Sequence, residues 1–188
     1  MYKWVSICGI PLQELKMQIK WLDVKNSELY QENGVWKSDN PFINRVIQIE
    51  SSGNPNAVAG YPKGIDNLTI RNSRAGGLFQ FIPSTAKLYG LSLEDRFNPQ
   101  KAFEAFKLLV RDNISTLAKF NVPLTATNLY LAHQQGAGGL KAIWNNINLG
   151  TPIGLGIRMN MNNNKRPEVP KDAPAKDWYN AWDKFIGV

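Results

Sequence analysis

Apolar residues recur at helical spacing along most of this chain, and the breaks between runs fall at Gly, Asn and Pro. In PFINRVIQIE, Ile43, Val46 and Ile47 precede Glu50 by seven, four and three positions, so all four share one helix face. Asn40 before Pro41 marks the start of that helix: an amide cap, then a residue with no N–H to leave unsatisfied. Ser51, Ser52 and Gly53 end it, and Pro55 stops it from resuming. PSTAKLY predicts a short helix stopped by Gly90, and SLED at Ser92–Asp95 has the form of a capping box. PQKAFEAFKLLVRDNISTLAKF, opened by Asn98-Pro99, predicts a long amphipathic helix ended between Asn121 and Pro123. ATNLYLAHQQ, capped by Thr125 and stopped at Gly136, predicts another helix, and GGLKAIWNNI a further one. Thr151-Pro152 repeats the cap-and-proline form. Residues 159–176 read as a polar loop rich in Asn, Pro and Lys. DWYNAWDKFIG then predicts a last helix with Trp178, Trp182 and Phe185 on one face. Only residues 60–73, GYPKGIDNLTIRNS, look β-like, as a short hairpin or ordered loop.

The pattern therefore predicts a mainly α fold with a short β or loop insertion. Composition narrows the classes. A 188-residue chain is long enough for a buried core, and one domain is the default. Hydrophobic residues at 43% and charged residues at 20% fit a globular domain and exclude a disordered one. Cys8 is the one cysteine and His133 the one histidine, which rules out an internal disulfide and argues against a His/Cys metal site; no cofactor is expected. No apolar run reaches transmembrane length. The start of the chain is cut by Gly9 and Pro11 with no small-residue cleavage site, so no signal peptide is expected. The net charge of +7 suits an anionic partner: nucleic acid, a membrane surface or an acidic wall. The bases are scattered without aromatic interleaving, so nucleic acid is not the expected partner; a merely solvated basic surface remains open.

Glu50 is the candidate for chemistry. A carboxyl at the end of an apolar helix face costs energy unless it has a partner or a task. An apolar setting raises a carboxyl pKa, which makes it a proton donor near neutral pH. Glycosidic cleavage needs such a donor for the leaving oxygen. A backbone cap or an Arg partner is the structural alternative.

Read together, ESSGNPNAVAG, AGGLFQFIPSTAKLYG, FNPQKAFEA and YLAHQQGAGG resemble the soluble lytic transglycosylase family. The likeness covers residues 50–139, and the order of the blocks makes it specific. It implies one lysozyme-like domain over 1–188, with a family-like core at about 38–150. An N-terminal helical segment (1–37) and a C-terminal segment (151–188) would pack on that core. It implies cleavage of peptidoglycan between N-acetylmuramic acid and N-acetylglucosamine. A single acid would do this, Glu50, with a 1,6-anhydro product and no second carboxylate. Asp66 is the one carboxylate in the insertion that could act as a second, and a turn role is its alternative.

The resemblance also assigns substrate-binding candidates. Gln80 matches the family Gln beside the acid, where an amide donates and accepts without titrating. Gly76 and Gly77 would let the backbone approach the glycan, or simply serve a turn. Phe79 would stack on a sugar or pack in the core. Ala59 stands where relatives often carry Ser, and Ser73 could replace it. AHQQG stands where Ala-Tyr-Asn-Ala-Gly is usual, so His133 takes the Tyr position, with Tyr130 and Gln134 as further groove candidates. Single-domain examples of this style resemble bacteriophage cell-wall enzymes, made in the host cytoplasm or carried in the virion. The expected partner is bacterial peptidoglycan and the expected state a monomer. Goose-type lysozyme-like hydrolysis and non-catalytic glycan binding stay open as alternatives.

Overall fold

The structure is a computed structural model describing residues 23–60, 72–163, 167, 169, 170 and 172–187. It is mainly helical, with one small sheet, the fold class expected. It divides into two compact units, the boundary falling between Lys107 and Leu108.

The first unit opens with an antiparallel hairpin of β1 (Leu29–Glu32) and β2 (Val35–Ser38), in the register Leu29↔Ser38 to Glu32↔Val35. Asn33 and Gly34 form its turn with φ of 50° and 79°. Two consecutive positive φ values match the twist of a two-residue hairpin, which is why Asn-Gly favours one. This corrects two expectations. Residues 23–37 are not helical, and 60–73 is not the one β-like stretch. The remaining parts of those assignments, residues 1–22 and 61–71 including Asp66, lie outside the described residues.

Helix α1 (Pro41–Ser51) begins as its caps require: Asn40 Oδ1 accepts from the N–H groups of Phe42 (3.0 Å) and Ile43 (3.2 Å). Its buried face is Phe42, Ile43, Val46 and Ile47. The core of this unit is aromatic. Phe79 stacks on Phe106 with centroids 4.3 Å apart, and Phe42 and Phe103 extend the cluster at 6.5 and 6.3 Å. Fully burying a ring of this size is worth roughly 1.5–3 kcal/mol. The end of α1 carries the hairpin. Trp36 N–H donates to Gly53 O (3.1 Å), and a Cβ on Gly53 would lie 2.3 Å from Val35 Cγ1.

Helix α2 (Pro83–Leu88) is short. The SLED pattern starts only a 3-10 turn, Asp95–Phe97, with Ser92 Oγ accepting from Asp95 N–H at 3.0 Å. Helix α3 (Pro99–Lys119) follows, with Asn98 Oδ1 accepting from Lys101 N–H.

In the second unit, α4 (Ala126–Leu149) is capped by Thr125, whose hydroxyl accepts from Asn128 N–H at 3.1 Å. The two helices expected here form one element, interrupted at Gly136, where φ is 72° and ψ 157°. Helix α5 (Leu155–Asn163) corrects the expected start at Thr151-Pro152 and the expected loop from 159. The Thr151 hydroxyl donates back to Asn146 Oδ1 instead of capping, and the new helix begins where Arg158 N–H reaches Gly154 O. Helix α6 (Ala175–Ile186) buries Ala175, Trp178, Trp182 and Ile186. It packs on α4 by stacking Trp182 on Tyr130 (5.6 Å) and by a 2.5 Å hydrogen bond from Thr127 to Asp183. Among the described residues no helix is long and apolar enough to cross a membrane.

Candidate active site

Glu50 occupies the last turn of α1, half-buried, on the face whose earlier members Ile43, Val46 and Ile47 are fully buried. The helix stops there abruptly. Ser52 takes a left-handed conformation (φ 53°) and its N–H turns back to Gln48 O. Ser51 Oγ donates to Ile47 O and accepts from Gly53 N–H, and Asn54 N–H returns to Ser51 O. These short-range bonds end the helix one residue after the carboxylate-bearing position.

The chain leaving that turn is stitched to the AGGLFQF stretch. Ala59 N–H donates to Ala75 O (3.0 Å) and Gly77 N–H to Ala57 O (2.9 Å). Gly76 and Phe81 exchange both backbone bonds, at 3.2 and 3.0 Å. The loop they close holds Gln80 at its tip with φ 49°, the left-handed region that ordinary side chains avoid. Gln80 Nε2 donates to Ala57 O (3.2 Å) and Gly77 O (2.9 Å). Both amide hydrogens are therefore committed to the backbone, and the carbonyl end, Oε1, is the end left to accept from a ligand. The expected donor-and-acceptor amide is narrowed to an acceptor.

Gly76 and Gly77 have a packing duty. A Cβ on Gly77, whose φ is 82°, would stand 1.9 Å from Arg96 O; one on Gly76 would stand 2.6 Å from Phe97 Cζ. Both glycines let the loop lie directly on the 3-10 turn. Phe79 corrects the sugar-stacking role: it is 0% exposed and sandwiched with Phe103 and Phe106, so its ring has no open face. Ser73 is exposed.

The residue that pattern reading missed is Arg96. It is 0% exposed, and its guanidinium donates to Leu93 O (2.9 Å), Arg74 O (2.6 Å) and Phe81 O (3.1 Å). An arginine is ordinarily a surface residue, so periodicity assigns it nothing. The available hint was the Gly-Gly pair, which demands a backbone close by.

In the second unit, Tyr130 is also corrected. It is 1% exposed and stacked on Trp182, a core residue without a face toward a groove. His133 and Gln134 are half-buried in the turn before the Gly136 break. The His133 ring lies 6.4 Å from Tyr130, tilted by 57°. Gln134 Oε1 accepts from Gln135 Nε2, while its own Nε2 is buried with no hydrogen bond among the described residues. Trp144 is half-buried and meets Tyr179 edge-on.

No curated protein matches the chain. The family described as "Transglycosylase SLT domain" matches residues 29–147, from the first residue of β1 into the final turn of α4. That span holds α1 with Glu50, the Gln80 loop, Arg96 and the His133 turn. With well over half of its 188 residues matched, the chain belongs to the transglycosylase SLT domain family, the glycan-cleaving domain of lytic transglycosylases that act on peptidoglycan.

Proposed function

We propose that the chain is a peptidoglycan lytic transglycosylase with Glu50 as its single acid and base. Glu50 protonates the bridging oxygen between N-acetylmuramic acid and N-acetylglucosamine, and the glycosidic bond breaks. The muramic O6 hydroxyl then closes on C1 of the same sugar, and its proton passes to the Glu50 carboxylate. The carboxyl is restored, the product is a 1,6-anhydro sugar, and no water is consumed. One observation carries this reading: Glu50 stands half-buried at the abrupt end of α1, in line with Ile43, Val46 and Ile47. A carboxyl there is partly shielded from water and still reachable, which is what a proton donor needs. Gln80 supports it as the acceptor for a sugar hydroxyl or acetamido N–H. The net charge of +7 favours association with an anionic wall, and binding should weaken as salt rises. The finer setting we propose is bacteriophage lysis or cell-wall penetration, on the resemblance of the motif blocks to phage cell-wall enzymes.

Mass spectrometry of muropeptides released from purified peptidoglycan tests the reading. The expected product ends in 1,6-anhydromuramic acid. A dominant product heavier by one water moves the protein to the hydrolases. Asp66→Asn should retain most activity; its loss would revive a two-carboxylate mechanism.

A further inference from the structure

We propose that Arg96 is a positioning residue for Gln80: its buried guanidinium clamps both ends of the 74–81 loop and so fixes the amide that faces the ligand. The inference rests on the reading of Gln80 as a ligand-binding residue.

Among the described residues the clamp has three carbonyl anchors. Nη1 takes Arg74 O at 2.6 Å and Phe81 O at 3.1 Å, the residues on either side of the loop, and Nε takes Leu93 O at 2.9 Å. Phe81 O also accepts from Gly76 N–H, so its two lone pairs join the loop closure and the guanidinium at one atom. The backbone of Arg96 acts on the same loop, since its carbonyl oxygen is what a Cβ on Gly77 would strike. Its guanidinium carbon stands 5.4 Å from the Phe97 ring, the ring against which Gly76 lies. Gln80, at the tip, holds a left-handed φ of 49°. A non-glycine residue stays in that region only when its surroundings over-determine it. Two bonds from its own side chain and the closure of the loop supply that constraint.

Lysine cannot replace this group. It offers one nitrogen on a flexible stem, where the guanidinium offers a rigid fork with donors in several directions. The prediction is a selective one: Arg96→Lys loosens Gln80 before it unfolds the unit.

The experiment reads the Gln80 side-chain amide by NMR together with a kinetic double-mutant cycle. In the wild type the Gln80 amide protons are shifted from solvent-exposed glutamines and protected from exchange. In Arg96→Lys they move to the exposed position while the Phe79 and Phe106 core resonances hold. The value of kcat/KM falls about tenfold in Arg96→Lys, and adding Arg96→Lys to Gln80→Ala brings no comparable further loss, since contacting residues that act as a unit are not additive. A folded Arg96→Lys with an unchanged Gln80 amide overturns the proposal, as do losses that multiply. If the lysine variant does not fold, Arg96→Gln, uncharged and with two donors on one nitrogen, takes its place. The wild type alone gives a further check, because an unprotected Gln80 amide overturns the clamp directly. If the wild type releases no muropeptide, the proposed function falls, while the NMR arm still decides the fate of the clamp.

Discussion

The Gln80 loop and the His133 turn of α4 lie within the same family match, yet they hold their side chains by opposite means. The loop is a backbone construction. Gln80 and Gly77 have positive φ, Gly76 and Gly77 lie on the 3-10 turn with no room for a Cβ, and a buried arginine ties the two ends. The His133 turn belongs to a regular helix. Thr125 caps it, Tyr130 and Trp182 anchor it, and one glycine breaks it after Gln135. In the loop the path of the backbone decides where the Gln80 amide points. On the helix the backbone is given by periodicity, and a side chain can change with little effect on its neighbours.

The largest test of the comparison is at the acid. Glu50→Gln keeps the volume and removes the proton donor, so turnover should fall by about 10²–10⁴ with the melting temperature almost unchanged. Muropeptide release and a thermal melt measure both. A folded variant retaining more than about a tenth of the wild-type rate would remove Glu50 from the mechanism.

Two glycines then separate loop from helix. Gly77→Ala places a Cβ against Arg96 O in a left-handed backbone and should cost about 3 kcal/mol of stability, combining strain and overpacking. Gly138→Ala, inside α4 with nothing within 4 Å of the new carbon, should instead stabilise by about 0.5–1 kcal/mol. Urea denaturation of the pair measures the contrast, and equal effects would break it.

The half-buried glutamine of α4 should matter less for rate. Gln134→Ala removes one neutral hydrogen-bond donor and should lower kcat/KM by no more than about tenfold. A loss as deep as that of Glu50→Gln would show that the helix face carries chemistry after all.

The smallest expected effect is a pH term in the second unit. Burial pushes the Tyr179 phenol above its ordinary value of 10.0, against the opposing hydrogen bond with Thr125. The folded state then holds the phenolic proton more tightly than the unfolded chain. This contribution is fully present below about pH 10 and is lost as pH rises through the raised value. Wild type should therefore lose stability above pH 10 more steeply than Tyr179→Phe, in melts recorded across that range. Parallel curves would mean that the phenol is solvated.

Several misreadings have identifiable causes. The hairpin at 29–38 carried its signal openly in Asn33-Gly34, and the absence of a clean apolar alternation hid it: Gln31 and Glu32 face solvent, and Trp36 is half-buried. Helix α5 was hidden by Asn-rich composition, since Asn favours caps and turns over helix interiors. Phe79 and Tyr130 flank positions that resemble the family's site, and adjacency in sequence does not set which way a ring points.

What the sequence determined by itself was local or carried by order. Asn40, Thr125 and Asn98 cap where they were expected to, because each cap bond reaches only two or three residues along the chain. Glu50 lies on the buried face of α1 because helical periodicity alone puts it with Ile43, Val46 and Ile47. The family was legible in the succession of blocks. The tertiary structure decided the rest: that Arg96 is buried, that Gln80 commits its amide hydrogens to the backbone, and that two aromatic residues belong to cores. Arg96 meets Arg74 and Phe81 across 22 and 15 positions of chain, and Gln80 meets Ala57 across 23. No local spacing encodes such pairings; they form only when the packed backbone brings distant carbonyls within reach of a donor that would otherwise remain in water.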